Sequence, residues 1–411
     1  MKQELLEKYA EFIVRVGVNV QPGQVMLLSC PLEAAPLARL CTRAAFAAGA
    51  RDVRVDWYDE QVGRTRMELG SEAALCDFKP SLERSYLDYA ESEGGVCVLH
   101  LLANDPEIYA GLDAGKISRV SVAKRTALKK WRDYTMNDRI QWCIAAMPSI
   151  PWAAKVFPQL PAQQAVEKLW DEIFAVCRVT NGDPVGEWQS HIARLNTLRN
   201  RMNAEKFVSL HFTSKNGTDL EVGLADGALW ESAASKDDRG TEFVPNIPTE
   251  EVFSAPHLAH VEGTVYGTKP YVFNGQLIRD FWVRFEHGKV VEYHAAENEA
   301  LLGELLDSDE GARHIGEVAL VPASSPINRS GVLFYDTLFD ENAACHIAFG
   351  ASYPGTCEGG KEMNEAQLRM HGMNISAVHE DVMIGAADTC ITGRTADGRS
   401  VEIFRGGEWV L

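Results

Sequence analysis

GMNISAVHEDVMIG, residues 372–385, is the stretch around which the predicted fold is organised. Its β-forming residues and the glycine at each end predict a β-strand. Because residues two apart on a strand share a face, His379 and Asp381 would project side by side while Glu380 points away. An imidazole beside a carboxylate is half of a metal site, although a buried, hydrogen-bonded histidine is the commoner outcome of this spacing. The carboxylates and the second histidine upstream favour the metal site.

The length and charge of the chain limit the possible functions. With 411 residues the chain exceeds one ordinary core, which predicts two domains. Apolar residues make up 46% and charged residues 24%, an ordinary globular composition. The formal net charge of −18 argues against nucleic acid or an anionic membrane as a partner, because both attract basic surfaces.

The cysteines and the N-terminus indicate a location. Nine cysteines are scattered singly without a CxxC pair, which is typical of reduced thiols in a cytosolic protein. The opening MKQELLEKYAEF is charged and amphipathic, unlike a signal peptide. No apolar run approaches the roughly 18 residues of a membrane span. We therefore expect a cytoplasmic protein that does not associate with a membrane.

Residues 1–185 alternate short apolar strands with helical segments. Strands are predicted at 24–29, 52–59, 95–102 and 139–147, and helices at 3–17, 32–49 and around 116–132. This alternation predicts an N-terminal α/β domain, with a mostly parallel sheet and helices on both faces. There is no G-x-G-x-x-G after the first strand and no Walker lysine loop, so the domain is interpreted as a scaffold or as a control of access.

Residues 186–411 follow a different pattern, which predicts an α+β C-terminal domain dominated by antiparallel strands. A connecting helix is predicted at 187–206, because apolar residues recur there every three or four positions. Further helices are predicted at about 296–307 and from Asp340 onward. Five dipeptides that favour hairpin turns separate the strands: Asn216-Gly217, Asn274-Gly275, His287-Gly288, Asp397-Gly398 and Gly406-Gly407.

Two segments of this domain place carboxylates among apolar neighbours. PNIPTEEVFSAP (245–256) carries Glu250 and Glu251 between apolar residues, so at least one of them is expected to face inward. GEVALVP (316–322) carries Glu317 near the start of an apolar strand. A carboxylate there is costly to bury unless a cation or a strong donor meets it.

A third segment, FDENAACHIAFGASYP (339–354), carries a second histidine. Asp340 is interpreted as the N-cap of a helix of small residues, with His346 on that helix. The helix is expected to end near Gly350 and to leave Tyr353 on a loop before a proline.

Two histidines with three carboxylates are what a pair of divalent ions needs. Carboxylates can bridge both ions, imidazoles complete each coordination shell, and open positions remain for water and substrate. Two ions about 3.5–4 Å apart lower the pKa of a shared water and stabilise the charge that grows on an attacked carbonyl. A tyrosine hydroxyl nearby could hydrogen-bond to that developing oxyanion.

NIPTEEVF, GEVALVP, LFDENAACHIAFGASYP and NISAVHEDVMIG together resemble the motifs of the M29 metallopeptidase family, the thermophilic-type aminopeptidases of the aminopeptidase T, aminopeptidase S and PepS type. The likeness extends over most of the chain. It implies a homodimeric, metal-dependent aminopeptidase, which releases N-terminal amino acids from peptide substrates through a water activated by two divalent ions. Zinc or cobalt is implied first, with manganese or magnesium as alternatives.

Carried over by position, the resemblance also implies the site residues. The implied metal ligands are Glu251, Glu317, His346, His379 and Asp381. Glu317 is expected to bridge the ions, and Tyr353 matches the catalytic tyrosine of the family. The register of the motif favours Glu251 over Glu250 as a ligand, which leaves Glu250 as a general base or as a partner of a ligand. Val382 stands where the family pattern has phenylalanine, a change expected to affect packing only.

Other candidate residues are interpreted as structural. His257 and His260 have the spacing of a helical ligand pair, but their polar segment predicts a solvated loop. Cys345 is expected to pack rather than to form a Cys-His pair with His346, because neighbours on a helix point about 100° apart.

Two other functions fit parts of the pattern. Two histidines and one carboxylate around a single Fe(II) would suit a ring-cleaving dioxygenase of related fold, which iron content and oxygen dependence would identify. A non-catalytic peptide-binding dimer would bind peptides without cleaving them. Glu251 and Glu317 favour two hydrolytic metals over both alternatives.

Overall fold

The computed structural model describes residues 3–179, 182–273 and 276–411, so the predicted Asn274-Gly275 turn lies outside the described residues. The contacts divide the chain into two compact units. The first contains Met1–His191 and Ala234–Pro248, and the second contains Ile192–Ala233 and Thr249–Leu411. A domain boundary between residues 185 and 186 therefore remains a proposal.

A parallel sheet forms the centre of the first unit. Its strands are β1 (Val25–Pro31), β2 (Asp52–Tyr58), β3 (Val96–Leu102) and β4 (Trp142–Ala146), in the order β2-β1-β3-β4. All three pairings within the sheet are parallel. Strands β1 and β3 are buried along nearly their whole length, which is why they appear in the sequence as continuous apolar runs. The α/β prediction is confirmed.

Along the chain, helices precede, separate and follow the strands of this unit. They are α1 (Gln3–Phe12), α2 (Ala35–Ala47), α3 (Glu60–Leu69), α4 (Glu72–Cys76), α5 (Pro80–Ala90), α6 (Ala114–Ala127), α7 (Lys129–Met136), α8 (Ile150–Val156) and α9 (Ala162–Val176). The segment predicted as one helix around 116–132 is divided between α6 and α7 at Leu128. A longer helix, α10 (Pro184–Glu205), corresponds to the predicted connecting helix.

The second unit is dominated by antiparallel strands, as predicted. The strands after α10 are β5 (Phe207–Thr213), β6 (Asp219–Leu224), β7 (Glu231–Ser232), β8 (Ser235–Lys236), β9 (Glu242–Phe243), β10 (Val252–Ser254), β11 (Pro256–Tyr266), β12 (Tyr271–Phe273), β13 (Gln276–Glu286), β14 (Lys289–Glu297), β15 (Ile315–Leu320), β16 (His346–Gly350), β17 (His379–Met383), β18 (Cys390–Thr395), β19 (Ser400–Arg405) and β20 (Glu408–Trp409). The helices are α11 (Glu299–Leu306), α12 (Pro326–Ser330), α13 (Thr337–Asp340) and α14 (Glu365–Met370).

Two sheets organise this unit. The larger has the order β12-β13-β11-β6-β5-β18-β19-β20, with β14 paired to β13, and the smaller has the order β17-β16-β15-β10-β7. The predicted turn at His287-Gly288 joins β13 to β14, and both residues have the positive φ that a type I′ hairpin needs. Strands β8 and β9 pair with each other and lie in the first unit.

The helix predicted from Asp340 to Gly350 is wrong. Asp340 is the last residue of α13, whose N-cap is Asp336, and His346 begins strand β16. This strand lies between β15 and β17 and is buried at every position, so it lacks the alternation that identifies a strand in a sequence. The strand predicted over residues 372–385 is also shorter than expected, because only β17 is extended and paired.

Among the helices that the structure describes, none combines the length and the apolar character needed to cross a membrane.

Candidate metal centre

The smaller sheet of the second unit carries the predicted ligands on one face. Glu317 on β15 and Asp381 on β17 both lie directly opposite Ala348 of the central strand β16. His379 lies opposite Gly350, and His346 is two residues from Ala348 on the same strand. Residues directly opposite in antiparallel strands, and residues two apart along one strand, share a face. The four side chains therefore project into one space.

The ligand atoms converge within ordinary contact distances. His346 Nε2 lies 3.1 Å from Glu251 Oε2, 3.4 Å from Glu317 Oε1 and 3.8 Å from Asp381 Oδ1. His379 Nε2 lies 3.8 Å from Glu317 Oε2 and 3.6 Å from Asp381 Oδ1. The atoms form two groups, Glu251-Glu317-His346 and Glu317-His379-Asp381, each within 4.8 Å. Glu317 belongs to both groups, as a bridging ligand would.

The hydrogen bonds around the site leave several ligand atoms available to bind a cation. Glu251 Oε2, His346 Nε2 and Asp381 Oδ1 are buried and form no hydrogen bond of normal geometry with the residues that the structure describes. The other ring nitrogens are engaged, His346 Nδ1 with the carbonyl of Ala344 at 3.2 Å and His379 Nδ1 with that of Ala351 at 2.7 Å. Because a carbonyl oxygen only accepts, each Nδ1 carries a proton, which leaves each Nε2 as the ring nitrogen that would bind a cation. The residues present fit divalent ions held by nitrogen and oxygen ligands.

The electrostatics of the cluster point the same way. Burial raises the pKa of Glu317, and the charges of Glu251 and Asp381 raise it further, although the histidines oppose this effect. Burial would lower the pKa of His346, but the carboxylates of Glu251 and Glu317 outweigh burial and raise that pKa well above its usual value. Three carboxylates in one buried space repel one another, and cations would relieve that repulsion.

Small residues leave room above the sheet. Ala348 separates Glu317 from Asp381, Gly350 lies opposite His379, and Ala319 lies opposite His346. A larger side chain at Ala348 would occupy the space between two ligands.

Tyr353 lies beside the ligands on the loop after β16. Its ring is 4.6 Å from the ring of His379 and 6.4 Å from that of Phe253. Although 38% of the residue's surface is exposed, desolvation of its hydroxyl beside the ligands, followed by the charges of Glu317 and Asp381, raises the pKa of Tyr353 well above the usual value. The hydroxyl therefore keeps its proton at neutral pH and can donate it in a hydrogen bond.

Glu250 and Glu251 have different surroundings. The Glu251 carboxylate faces His346, whereas Glu250 Oε2 lies 3.9 Å from a guanidinium nitrogen of Arg194. The backbone N–H of Glu250 donates to Asn342 Oδ1 at 2.7 Å. Glu250 does not belong to either group of converging ligand atoms. Its predicted role as a general base remains a prediction.

Sequence reasoning missed two residues next to the ligands, Glu341 and Asn342. Burial raises the pKa of Glu341 well above its usual value, and the negative charges of Asp381 and Glu251 raise it further. Its carboxylate accepts a hydrogen bond from Asn342 Nδ2 at 3.3 Å. Both residues lie in the motif that contains His346, so an acid so close to a predicted ligand was the available signal.

The outer side of β17 is also held in place. Glu380 points away from the ligands, as predicted, and accepts a hydrogen bond from the Tyr271 hydroxyl at 2.5 Å. Along the edge of the strand, the backbone N–H and the hydroxyl of Thr268 donate to the carbonyl of Met383. These contacts anchor the strand that carries His379 and Asp381.

Three residues interpreted as structural lie in secondary structure that differs from the prediction. His257 and His260 lie in β11 rather than in a loop, with their rings stacked 3.9 Å apart. Neither belongs to a group of three ligating side chains in the part of the chain that the structure describes. Cys345 packs as predicted, but its Sγ contacts the backbone of Val321, and it precedes a strand rather than lying on a helix.

Comparison with known proteins gives matches over the whole length. A model of the family described as "Thermophilic metalloprotease (M29)" matches residues 2–409. The chain is 41% identical to aminopeptidase T of Thermus aquaticus over 408 residues, which cover 99% of each protein. It is 40% identical to aminopeptidase 2 of Geobacillus stearothermophilus over 406 residues, 99% of this chain and 98% of that relative.

A solved structure extends the likeness to the fold. Wild-type AmpT from Thermus thermophilus is 38% identical, and the two structures superpose with a TM-score of 0.92 over 100% of both chains. The family match, the identities and the shared fold cover the same residues, including every predicted ligand. The chain therefore belongs to the M29 family of thermophilic metalloproteases.

Proposed function

We propose that the protein is a metal-dependent aminopeptidase that releases N-terminal amino acids from peptides. The observation that carries the proposal is the convergence of five ligating side chains around Glu317, which contributes to both groups of ligand atoms. The aminopeptidase names of full-length relatives at about 40% identity support the same reaction.

The proposed ligands are Glu251, Glu317, His346, His379 and Asp381, with zinc or cobalt as the expected ions. When bound, a pair of such ions would supply an activated water and polarise the carbonyl of the scissile peptide bond. The five side chains hold the ions, and the carbonyls of Ala344 and Ala351 keep both imidazoles in the ligating tautomer.

Two further functions are assigned to residues beside the ligands. The Tyr353 hydroxyl, which keeps its proton, donates a hydrogen bond to the oxyanion that develops on the attacked carbonyl. Proton transfer to the leaving amine requires a carboxyl group near the ligands. Glu250 is the carboxyl predicted for it, and Glu341 is a second candidate because the charges of Asp381 and Glu251 act on it directly.

The remaining expectations form part of the same proposal. We assign residues 1–185 to a domain that limits access and residues 186–411 to the catalytic domain, and we expect a homodimer. The nine cysteines are all free thiols, which supports a cytoplasmic location. A ring-cleaving dioxygenase is not favoured, because Glu251 and Glu317 add two carboxylates that a site with two histidines and one carboxylate does not need.

The experiment that tests the proposal is hydrolysis of a panel of aminoacyl p-nitroanilides. The protein is stripped with a chelator and then titrated with Zn²⁺, Co²⁺, Mn²⁺ or Fe²⁺. We expect activity to disappear on stripping and to return as about two equivalents are added. Absence of hydrolysis with every metal would refute the proposal, and oxygen-dependent turnover with Fe²⁺ would support the dioxygenase instead.

A further inference from the structure

Asn342 is a fully buried residue whose side chain joins two parts of the metal centre. It lies in the short 3₁₀ turn Glu341–Ala343 before β16, with 0% of its surface exposed. Its Oδ1 accepts the backbone N–H of Glu250 at 2.7 Å. Its Nδ2 donates to the carbonyl of Leu338 at 3.2 Å and to Glu341 Oε1 at 3.3 Å. Because a backbone N–H only donates and a carbonyl only accepts, these partners determine the orientation of the amide.

The two segments joined by Asn342 both carry acids of the centre. The Oδ1 of Asn342 holds the backbone of Glu250, the residue directly before Glu251. The Glu251 carboxylate lies 3.1 Å from His346 Nε2. The Nδ2 of Asn342 holds the carboxylate of Glu341, on which the negative charge of Glu251 also acts. Like charges drive these segments apart, so a neutral group that holds both of them sets the position of each.

Asn342 is itself fixed by the fold around it. The hydroxyl of Ser325 donates to the backbone carbonyl of Asn342 at 2.6 Å, and Ser325 is also buried. The turn that carries Asn342 follows α13 directly and precedes the strand of His346 by two residues. The tie therefore connects the ligand strand β16 to the segment of Glu251.

We propose that Asn342 is a positioning residue, which sets the placement of Glu251 through the backbone of Glu250 and the placement of Glu341 through its carboxylate. Asn342 acts through these neighbours and supplies no ligand itself. The inference deepens the proposed function and rests on the same site, because it concerns how tightly and in which geometry the ions are held. Loss of such supporting hydrogen bonds typically weakens metal binding about 10–100-fold.

The test uses Co²⁺ as the probe, because its visible absorption spectrum reports the arrangement of its ligands. Full-length wild type and Asn342→Ala are titrated with Co²⁺ by calorimetry and by absorption. We expect at least one ion to bind Asn342→Ala at least about tenfold more weakly, with an altered spectrum. Asn342→Asp keeps an acceptor for the Glu250 N–H but replaces the donor to Glu341 with a second negative charge, so we expect an altered Co²⁺ spectrum in this variant as well.

A matched control separates positioning from general stability. Asn203 in the same unit also makes two hydrogen bonds to the backbone of one residue, Trp230, at 2.8 and 2.9 Å. Asn203→Ala is expected to lower the melting temperature and to leave Co²⁺ affinity and spectrum unchanged. If Asn342→Ala does not fold, Asn342→Leu replaces it, because leucine has the same branching and number of side-chain heavy atoms but no hydrogen-bonding atoms.

The outcomes distinguish the inference from the proposed function. Wild-type Co²⁺ affinity and spectrum in the Ala or Leu variant would overturn the role of Asn342, as would a wild-type spectrum in Asn342→Asp. Wild type that binds Co²⁺ but cleaves no aminoacyl amide would refute the aminopeptidase, while the binding measurements would still test Asn342. Weaker, spectrally altered Co²⁺ binding in Asn342→Ala, with a normal control, supports the inference.

Discussion

Glu317→Gln removes one charge from the point that the two groups of ligands share. The substitution preserves the shape of the side chain but leaves one acceptor oxygen instead of two. In the wild type, Oε1 faces His346 Nε2 at 3.4 Å and Oε2 faces His379 Nε2 at 3.8 Å. With two ions bound as proposed, one would lose an oxygen ligand, and the other would lose the negative charge. We expect at least one ion to bind about 100-fold more weakly, because a direct ligand contributes at least as much as its supporting partners.

The size of the effect on stability follows from linkage. An ion present at about 100 times its dissociation constant stabilises the wild type by about 2.7 kcal/mol. At the same concentration, a variant that binds about 100-fold more weakly gains only about 0.4 kcal/mol. The variant should therefore lose about 2 kcal/mol of the stabilisation that the metal provides to the wild type.

The metal-free protein supplies the internal check. Burial and two neighbouring carboxylates oppose a charge on Glu317, so glutamine relieves a repulsion when no ion is present. Metal-free Glu317→Gln should then be at least as stable as metal-free wild type, which separates loss of a ligand from misfolding.

The assay combines urea unfolding, with chelator or with added Zn²⁺, and calorimetric titration with Zn²⁺. Glu221→Gln is the matched control, because Glu221 is an exposed carboxylate on β6 of the same unit. Equal metal-induced stabilisation of Glu317→Gln and wild type would refute the shared-ligand argument.

Three further predictions concern single side chains. Tyr353→Phe should retain Zn²⁺ affinity but lower kcat about 10²–10³-fold, because one hydrogen-bond donor to the oxyanion is lost. The kinetics of p-nitroanilide hydrolysis measure this, and an unchanged kcat would refute the oxyanion role of Tyr353. Ala348→Leu should weaken Zn²⁺ binding at least about tenfold, because the larger side chain enters the space between Glu317 and Asp381. Calorimetry measures the affinity, and wild-type binding would contradict the assignment of the metal centre to this face of the sheet. His100→Leu should flatten the dependence of stability on pH between about 4 and 6.5. Burial lowers the pKa of His100 to about 4, so the unfolded chain takes up a proton in this range before the folded protein does. The wild type should therefore lose about 3 kcal/mol of its free energy of unfolding as the pH falls through this range. Urea unfolding across this range tests the last prediction, and equal slopes for variant and wild type would refute it.

Short motifs predicted more of the candidate site than of the local structure. The spacing of His379 and Asp381 predicted that both side chains project from one face, and their atoms lie 3.6 Å apart. The same reasoning placed His346 on a helix, although the residue lies on a strand. A strand buried on both faces shows no alternation, so its sequence pattern cannot be separated from that of a buried helix.

The residues that support the ligands could not be predicted from the sequence, for a different reason. Nothing in the sequence indicates that Asn342 contacts the backbone of Glu250, because the two residues are 92 positions apart. A hydrogen bond between a side chain and a backbone group has no sequence signature at the backbone end. The resemblance did favour Glu251 over Glu250 as a ligand, and the path of the chain before β10 turns the Glu251 carboxylate towards His346.

The sequence by itself determined the two fold classes and the family, and it predicted the types of the candidate ligands, because hydrophobic periodicity and motif chemistry are local properties. The tertiary structure decided which acids face His346, that Glu317 contributes to both groups of ligand atoms, and that Ala348 and Gly350 leave room beside the ligands. Those features arise from the register of antiparallel strands far apart in the sequence, and a register exists only after the strands have paired.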